Sequence, residues 1–161
     1  MNMIFIDSTI FIKWISVKGK EISLDEAISG YILEKISHGF NAITTILVKD
    51  EVLIWLSRYR SSKLKQFIYA LKALFSLKIV QPVLDDELKA VIEFGKYPLG
   101  ISDLINLNVM KRLGINIIAS SDRGFDEYPY VKRIYNEFQK EPQFKAFLDK
   151  LKSRGIEVRY R

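Results

Sequence analysis

The chain of 161 residues contains no cysteine and only one histidine, His38. The first absence excludes disulfides and thiolate metal sites. The second leaves a zinc centre short of donors, because such sites draw several of their roughly four ligands from His or Cys. A serine triad would have to use His38, which stands at the end of a helical pattern with no nucleophile signature near it. It reads as an exposed helix-end residue. Any metal bound by this chain is therefore expected to sit among oxygen ligands. There is also no run of about 18 uncharged apolar residues, so no membrane span is expected. The N-terminus lacks the basic start and small-residue cleavage site of a signal peptide, and a cytoplasmic protein follows as the default. No repeat, low-complexity tract or domain linker interrupts the sequence.

Basic charge is plentiful. Lys and Arg outnumber Asp and Glu by 25 to 19, giving a net charge of +6 and a pI near 9.4. This suits a partner such as nucleic acid without requiring one. At this length one domain with a sizeable core is expected.

The pattern alternates strand and helix. Residues 3–12, MIFIDSTIFI, read as a strand buried on both faces. Ser23-Leu24-Asp25-Glu26 has capping-box spacing and opens a helix that Gly39 stops. A short strand is expected at 40–44, then a helix capped by Thr45 and ending near Arg60. Another helix opens at Ser61-Ser62. Residues 78–84 read as a strand demoted to an edge by Pro82. Asp85 and Asp86 look like caps for a helix to about Phe94. Ser102 reads as the cap of a helix ending at Gly114, followed by a second apolar strand at 115–119. Helical spacing of Phe144, Phe147, Leu148 and Leu151 stops at Gly155, and Ile156, Val158 and Tyr160 alternate as a last strand. Strands separated by helices argue for a mostly parallel sheet covered on both faces, a three-layer α/β/α arrangement.

Within the first apolar run an ionised Asp7 is costly unless paired, so it either leaves the strand as a turn or cap, or lines a crevice. Open α/β sheets bind ligands at the carboxyl ends of their strands, all on one side. Asp7 and Asp122 follow buried strands directly, Asp103 opens a helix, and Glu51 lies about two turns into the helix after the 40–44 strand. Asp103 could instead serve the helix dipole, Asp122 a turn, and Glu51 a solvated face. Together they form a crowd of like charges that repel unless a cation sits among them. A hard divalent ion suits such a site, Mg²⁺ or Mn²⁺ above all.

With these residues in view, the sequence resembles the PIN-domain ribonucleases, specifically the VapC-like toxin half of archaeal VapBC toxin–antitoxin pairs. The resemblance rests on the early strand ending in Asp7-Ser8, on ITTILVKDEVLIWL carrying Glu51, on LGISDLINLNVMKRLG carrying Asp103, and on INIIASSDRGFD carrying Asp122 and Asp126. It implies one PIN-like domain over residues 1–161 with a five-stranded mostly parallel sheet and a helix-and-strand extension from about 131. It also implies Mg²⁺- or Mn²⁺-dependent cleavage of RNA, a VapB-like antitoxin, and room for a homodimer. It gives Asp7, Glu51, Asp103 and Asp122 catalytic roles, and makes Asp7, Asp103, Asp122 and Asp126 the metal set. Ser8 and Ser121 are its supporting hydroxyls. Asp50 beside Glu51 leaves the second acid ambiguous by one residue. Lys13, Lys18, Lys20, Arg123, Lys132 and Arg133 are candidates to hold an RNA backbone.

Two other readings fit less well. A haloacid-dehalogenase-like phosphatase wants a second Asp two residues after Asp7, and a response-regulator receiver wants a late-strand lysine that 115–122 lacks. A catalytically silent PIN-like module that only binds RNA or protein remains the alternative.

Overall fold

A computed structural model of the chain describes residues 3–160. Its centre is β1 (Ile4–Ile6), three isoleucine and phenylalanine residues buried on both faces. β1 lies between β3 (Ala42–Thr45) and β5 (Ile117–Ala119), with Phe5 opposite Ile43 and Ile118. β4 (Leu77–Val80) and β6 (Lys132–Ile134) form the two edges, giving the order β4-β3-β1-β5-β6 with every pair parallel. Pro82 falls just beyond β4, so the edge strand is real but shorter than residues 78–84.

The apolar run from residue 3 to 12 is not one strand. The chain leaves the sheet at Asp7 and enters α1 (Ser8–Ile15), whose residues Ile10 and Phe11 face the core. Short polar side chains at 7–9 offer the backbone local hydrogen bonds that compete with a strand. Burial of Phe11 against Phe67, ring centroids 5.7 Å apart, then favours a helix. α1 packs on α2 (Leu24–Ser37), and Gly30 makes the close approach possible. A Cβ there would stand 2.4 Å from the Trp14 ring. The capping box of α2 forms as expected, with the Ser23 hydroxyl accepting from the Glu26 N–H and the Glu26 carboxylate accepting from the Ser23 N–H. His38 is exposed at the C-cap of α2.

α3 (Ile46–Tyr59), a 3₁₀ turn at Ser61–Lys63 and α4 (Leu64–Ala73) lead to β4; α5 (Leu84–Glu93) and α6 (Ile101–Leu113) lead back to β5. The N-cap of α6 is Gly100, not Ser102, which lies inside its first turn. The left-handed Gly114 (φ +72°) ends α6 as the sequence indicates. After β6, α7 (Pro142–Ser153) folds back on α2. Tyr31 meets Phe144 edge-on at 5.3 Å, and Glu141 accepts from Tyr31 and Lys35 at 2.6 Å. β7 (Glu157–Arg159) pairs in parallel with β2 (Glu21–Ser23), so the tail is bound into the fold at both ends. α1, β2 and β6 were not apparent in the sequence.

Candidate active site

All five central strands are parallel, so their carboxyl ends share one side. Asp7 leaves β1 there, Ser120 and Asp122 leave β5 there, and α3 begins there. The Thr45 hydroxyl caps α3 by accepting from the Val48 N–H at 3.1 Å, and donates to Asn106 Oδ1 of α6 at 2.6 Å. This buried bond fixes the start of α3 against α6, which is why Glu51 and Asp103 come near Asp7.

Asp7 is 4% exposed. Its Oδ2 accepts from the Ser120 hydroxyl at 2.6 Å and the Thr9 hydroxyl at 2.9 Å. Burial pushes the carboxyl up, and the two hydroxyls hold it down less strongly. Glu51 is raised to about 6, by burial first and then by the charge of Asp7, with Ser102 opposing. Asp103 is raised to about 7, by burial and then by Asp7, Glu51 and Asp122. Asp122 is exposed; its Oδ1 accepts from the Gly124 N–H at 2.8 Å, and its own N–H donates to the Ser120 hydroxyl at 3.0 Å. One hydroxyl thus ties the loop of Asp122 to the carboxylate of Asp7. Gly124 lets that loop press on the turn before α6, since a Cβ there would lie 2.7 Å from the Pro98 carbonyl oxygen.

Other expected residues sit elsewhere. Asp126 takes two hydrogen bonds from the Arg133 guanidinium, at 2.9 and 3.1 Å, which hold its carboxyl below the usual range. Arg133 also donates to the Ser120 carbonyl at 3.1 Å, so this pair braces the strand end rather than joining the other acids. Asp50 is exposed and pairs with Lys49 at 3.0 Å, leaving Glu51 as the residue that faces Asp7. The hydroxyls on Asp7 belong to Thr9 and Ser120, not to their neighbours Ser8 and Ser121; Ser121 contributes only its N–H, to Thr9 Oγ1. The signal for both was present in Asp7-Ser8-Thr9 and Ser120-Ser121-Asp122, but which hydroxyl turns inward depends on the turn. Lys18 and Lys20 follow the last turn of α1, about 12 Å of helix beyond Asp7.

Among the described residues, no three or more His, Cys, Asp or Glu side chains already stand as a ligand set around one point. The acids are close enough for the charge of Asp7 to raise Glu51, and for Asp7, Glu51 and Asp122 to raise Asp103, yet not drawn together. Their chemistry fits a hard cation: the donors are all carboxylate oxygens, graded from the buried Asp7 through the half-buried Glu51 and Asp103 to the exposed Asp122, and their charges meet at Asp103. A cation would relieve the burial and repulsion that raise Glu51 and Asp103.

A family model described as the PIN domain matches residues 4–130. A comparison with curated proteins finds no match. Among solved structures, the chain is similar to VapC20 of Mycobacterium tuberculosis, described as a sarcin-ricin loop cleaving toxin. The TM-score is 0.65 at 16% identity, covering 80% of this chain and 96% of that one. It is similar to a toxin–antitoxin complex from Klebsiella pneumoniae, with TM-score 0.59, 17% identity, and 80% and 95% of the two chains covered. It is also similar to VapBC2 of Rickettsia felis bound to a DNA fragment of its promoter, with TM-score 0.58, 14% identity, and 82% and 97% covered.

Proposed function

The chain belongs to the PIN domain family, and from that premise we propose that it is a Mg²⁺- or Mn²⁺-dependent endoribonuclease acting as the toxin of a toxin–antitoxin pair. The observation that carries this reading is the convergence of Asp7, Glu51, Asp103 and Asp122 at one sheet edge, where Asp103 feels the charge of the other three. Asp7, Asp103 and Asp122 would hold the ion, with Glu51 beside them. Such an ion, when bound, supplies a water of lowered pKa and offsets charge on the leaving oxygen. Glu51, raised to about 6, is suited to accept a proton near neutral pH. Thr9 and Ser120 keep Asp7 in one orientation, a positioning role, and Asp126 does the same for Arg133. In our reading Asp126 serves the site through Arg133 and is not itself a ligand.

One of the similar structures is described as a toxin–antitoxin complex and another as VapBC2 bound to promoter DNA, which supports an inhibitory partner for this chain as well. We take that partner to be a VapB-like protein that covers the acidic crevice, and the site of action to be the cytoplasm. Among the described residues no helix is long and apolar enough to cross a membrane.

Purified protein should cut RNA with Mg²⁺ or Mn²⁺ and stop when EDTA is added, and Asp7→Asn should abolish cutting. RNA binding without cutting under every condition would favour the silent module instead. Sequencing the ends of the cut RNAs would identify the target.

A further inference from the structure

Beside the acids, α1 and α3 enclose an open groove of about 520 Å³ lined by Ile12, Glu51, Ile54, Trp55, Arg58 and Tyr59. Glu51, Trp55 and Tyr59 are spaced i, i+4, i+8, so one face of α3 leads from the acidic site to the two rings. Trp55 is one turn, about 6 Å, from Glu51. The rings lie 5.1 Å apart and are tilted by 45°, with Tyr59 59% exposed. Arg58 is exposed, and among the described residues it has no ion-pair partner.

We propose that this groove receives the unpaired nucleotide next to the scissile phosphate, its base stacked on Trp55 and Tyr59 and its phosphate met by Arg58. The inference rests on the ribonuclease reading above and names the form of RNA that reading would use. Three observations select this occupant. The groove is continuous with the acids through Glu51, so whatever fills it lies against the reacting bond. Aromatic faces bind any base without reading its sequence. A free guanidinium beside them complements a backbone phosphate, and Arg is suited to that contact. A base-paired strand would keep its bases stacked on each other and leave the rings bare.

The test starts from any RNA bond that the wild-type protein cuts in Mn²⁺. That RNA is resynthesised with an abasic residue at each flanking position, and kcat/KM is measured for wild type, Trp55→Ala, Trp55→Phe and Tyr59→Ala. At one flanking position the abasic RNA should lose on the order of ten- to a hundred-fold with wild type. Tyr59→Ala and Trp55→Ala should lose a similar factor on intact RNA, mostly in KM, and little more on the abasic one. Trp55→Phe should recover most of the loss. Should Trp55→Ala fail to fold, Tyr59→Ala still decides, because its side chain is largely outside the core. Unchanged kcat/KM in Tyr59→Ala, or losses that multiply with the abasic change, would overturn the proposal while leaving the nuclease intact. Unchanged cutting combined with weakened capture by a purified antitoxin would overturn it in favour of a protein occupant. A wild type that cuts no RNA overturns the ribonuclease reading, and this inference with it.

Discussion

The Ser120 hydroxyl donates to Asp7 Oδ2 at 2.6 Å while accepting from the Asp122 N–H at 3.0 Å. It is fully buried, so neither bond has water as a substitute. Ser120→Ala should leave an N–H unpartnered and strip Asp7 of its shortest hydrogen bond. The expected cost is about 1–3 kcal/mol. For a domain of this size each kcal/mol lowers Tm by about 2–4 °C, which thermal melting would read. An unchanged Tm would mean the hydroxyl is not a bridge.

The acids make stability depend on pH in an unusual direction. In the unfolded chain Asp and Glu titrate near 3.8 and 4.5; in the folded chain Asp103 titrates near 7 and Glu51 near 6. Between these values the folded state holds protons that the unfolded state has lost. Their contribution is present at low pH and lost as pH rises through about 6 to 7. Acids held low by partners, such as Asp86 against Arg112, act only below the usual carboxylate range. In EDTA, urea unfolding should therefore show lower stability at pH 8 than at pH 5. Asp103→Asn should flatten that difference.

Gly124→Ala probes the loop of Asp122. The new methyl would meet the Pro98 carbonyl oxygen at 2.7 Å and the Leu99 side chain at 3.1 Å. Backbone at Pro98 cannot yield as a flexible side chain would, so the loop must move away from the start of α6. Displacement of about 1 Å at a catalytic group can cost on the order of 100-fold. RNA cleavage should fall by such a factor, with melting lowered by no more than a few degrees. A rate close to wild type would show that the position of Asp122 tolerates movement.

Arg133 and Asp126 should differ when each is removed. Asp126 is half exposed, and an exposed pair contributes about 0–1 kcal/mol. Arg133 is mostly buried and also holds the Ser120 carbonyl. Arg133→Ala should destabilise more than Asp126→Ala in urea melts. Equal effects would mean the pair acts only through its mutual charge.

What the sequence revealed follows from how local each signal is. The Ser23 and Thr45 caps and the Gly114 stop involve residues three or four apart, and all form as read. The expected parallel α/β/α architecture formed too, because buried strands and helical spacing alternate along the chain. α1 was hidden because Ile10-Phe11-Ile12 fits either a strand or a helix, and packing on Phe67 and α2 decides. β6 is a partly exposed edge whose pairing with β5 is set by the sheet, not by its own residues. The acids could be placed on one edge from topology alone. Asp126 could not be separated from them, since its partner Arg133 comes from the next strand.

The central claim is that Asp7 belongs to a cation site. Melting curves of wild type and Asp7→Asn, each in EDTA and in millimolar Mn²⁺ at pH 8, test it most directly. Without metal, Asp7→Asn should melt no lower than wild type, because removing one charge relieves Glu51 and Asp103. Mn²⁺ should raise wild type by the equivalent of about 2.7 kcal/mol at a hundred times Kd, and Asp7→Asn by little. A Mn²⁺ shift absent from both proteins, or equal in both, would contradict the assignment.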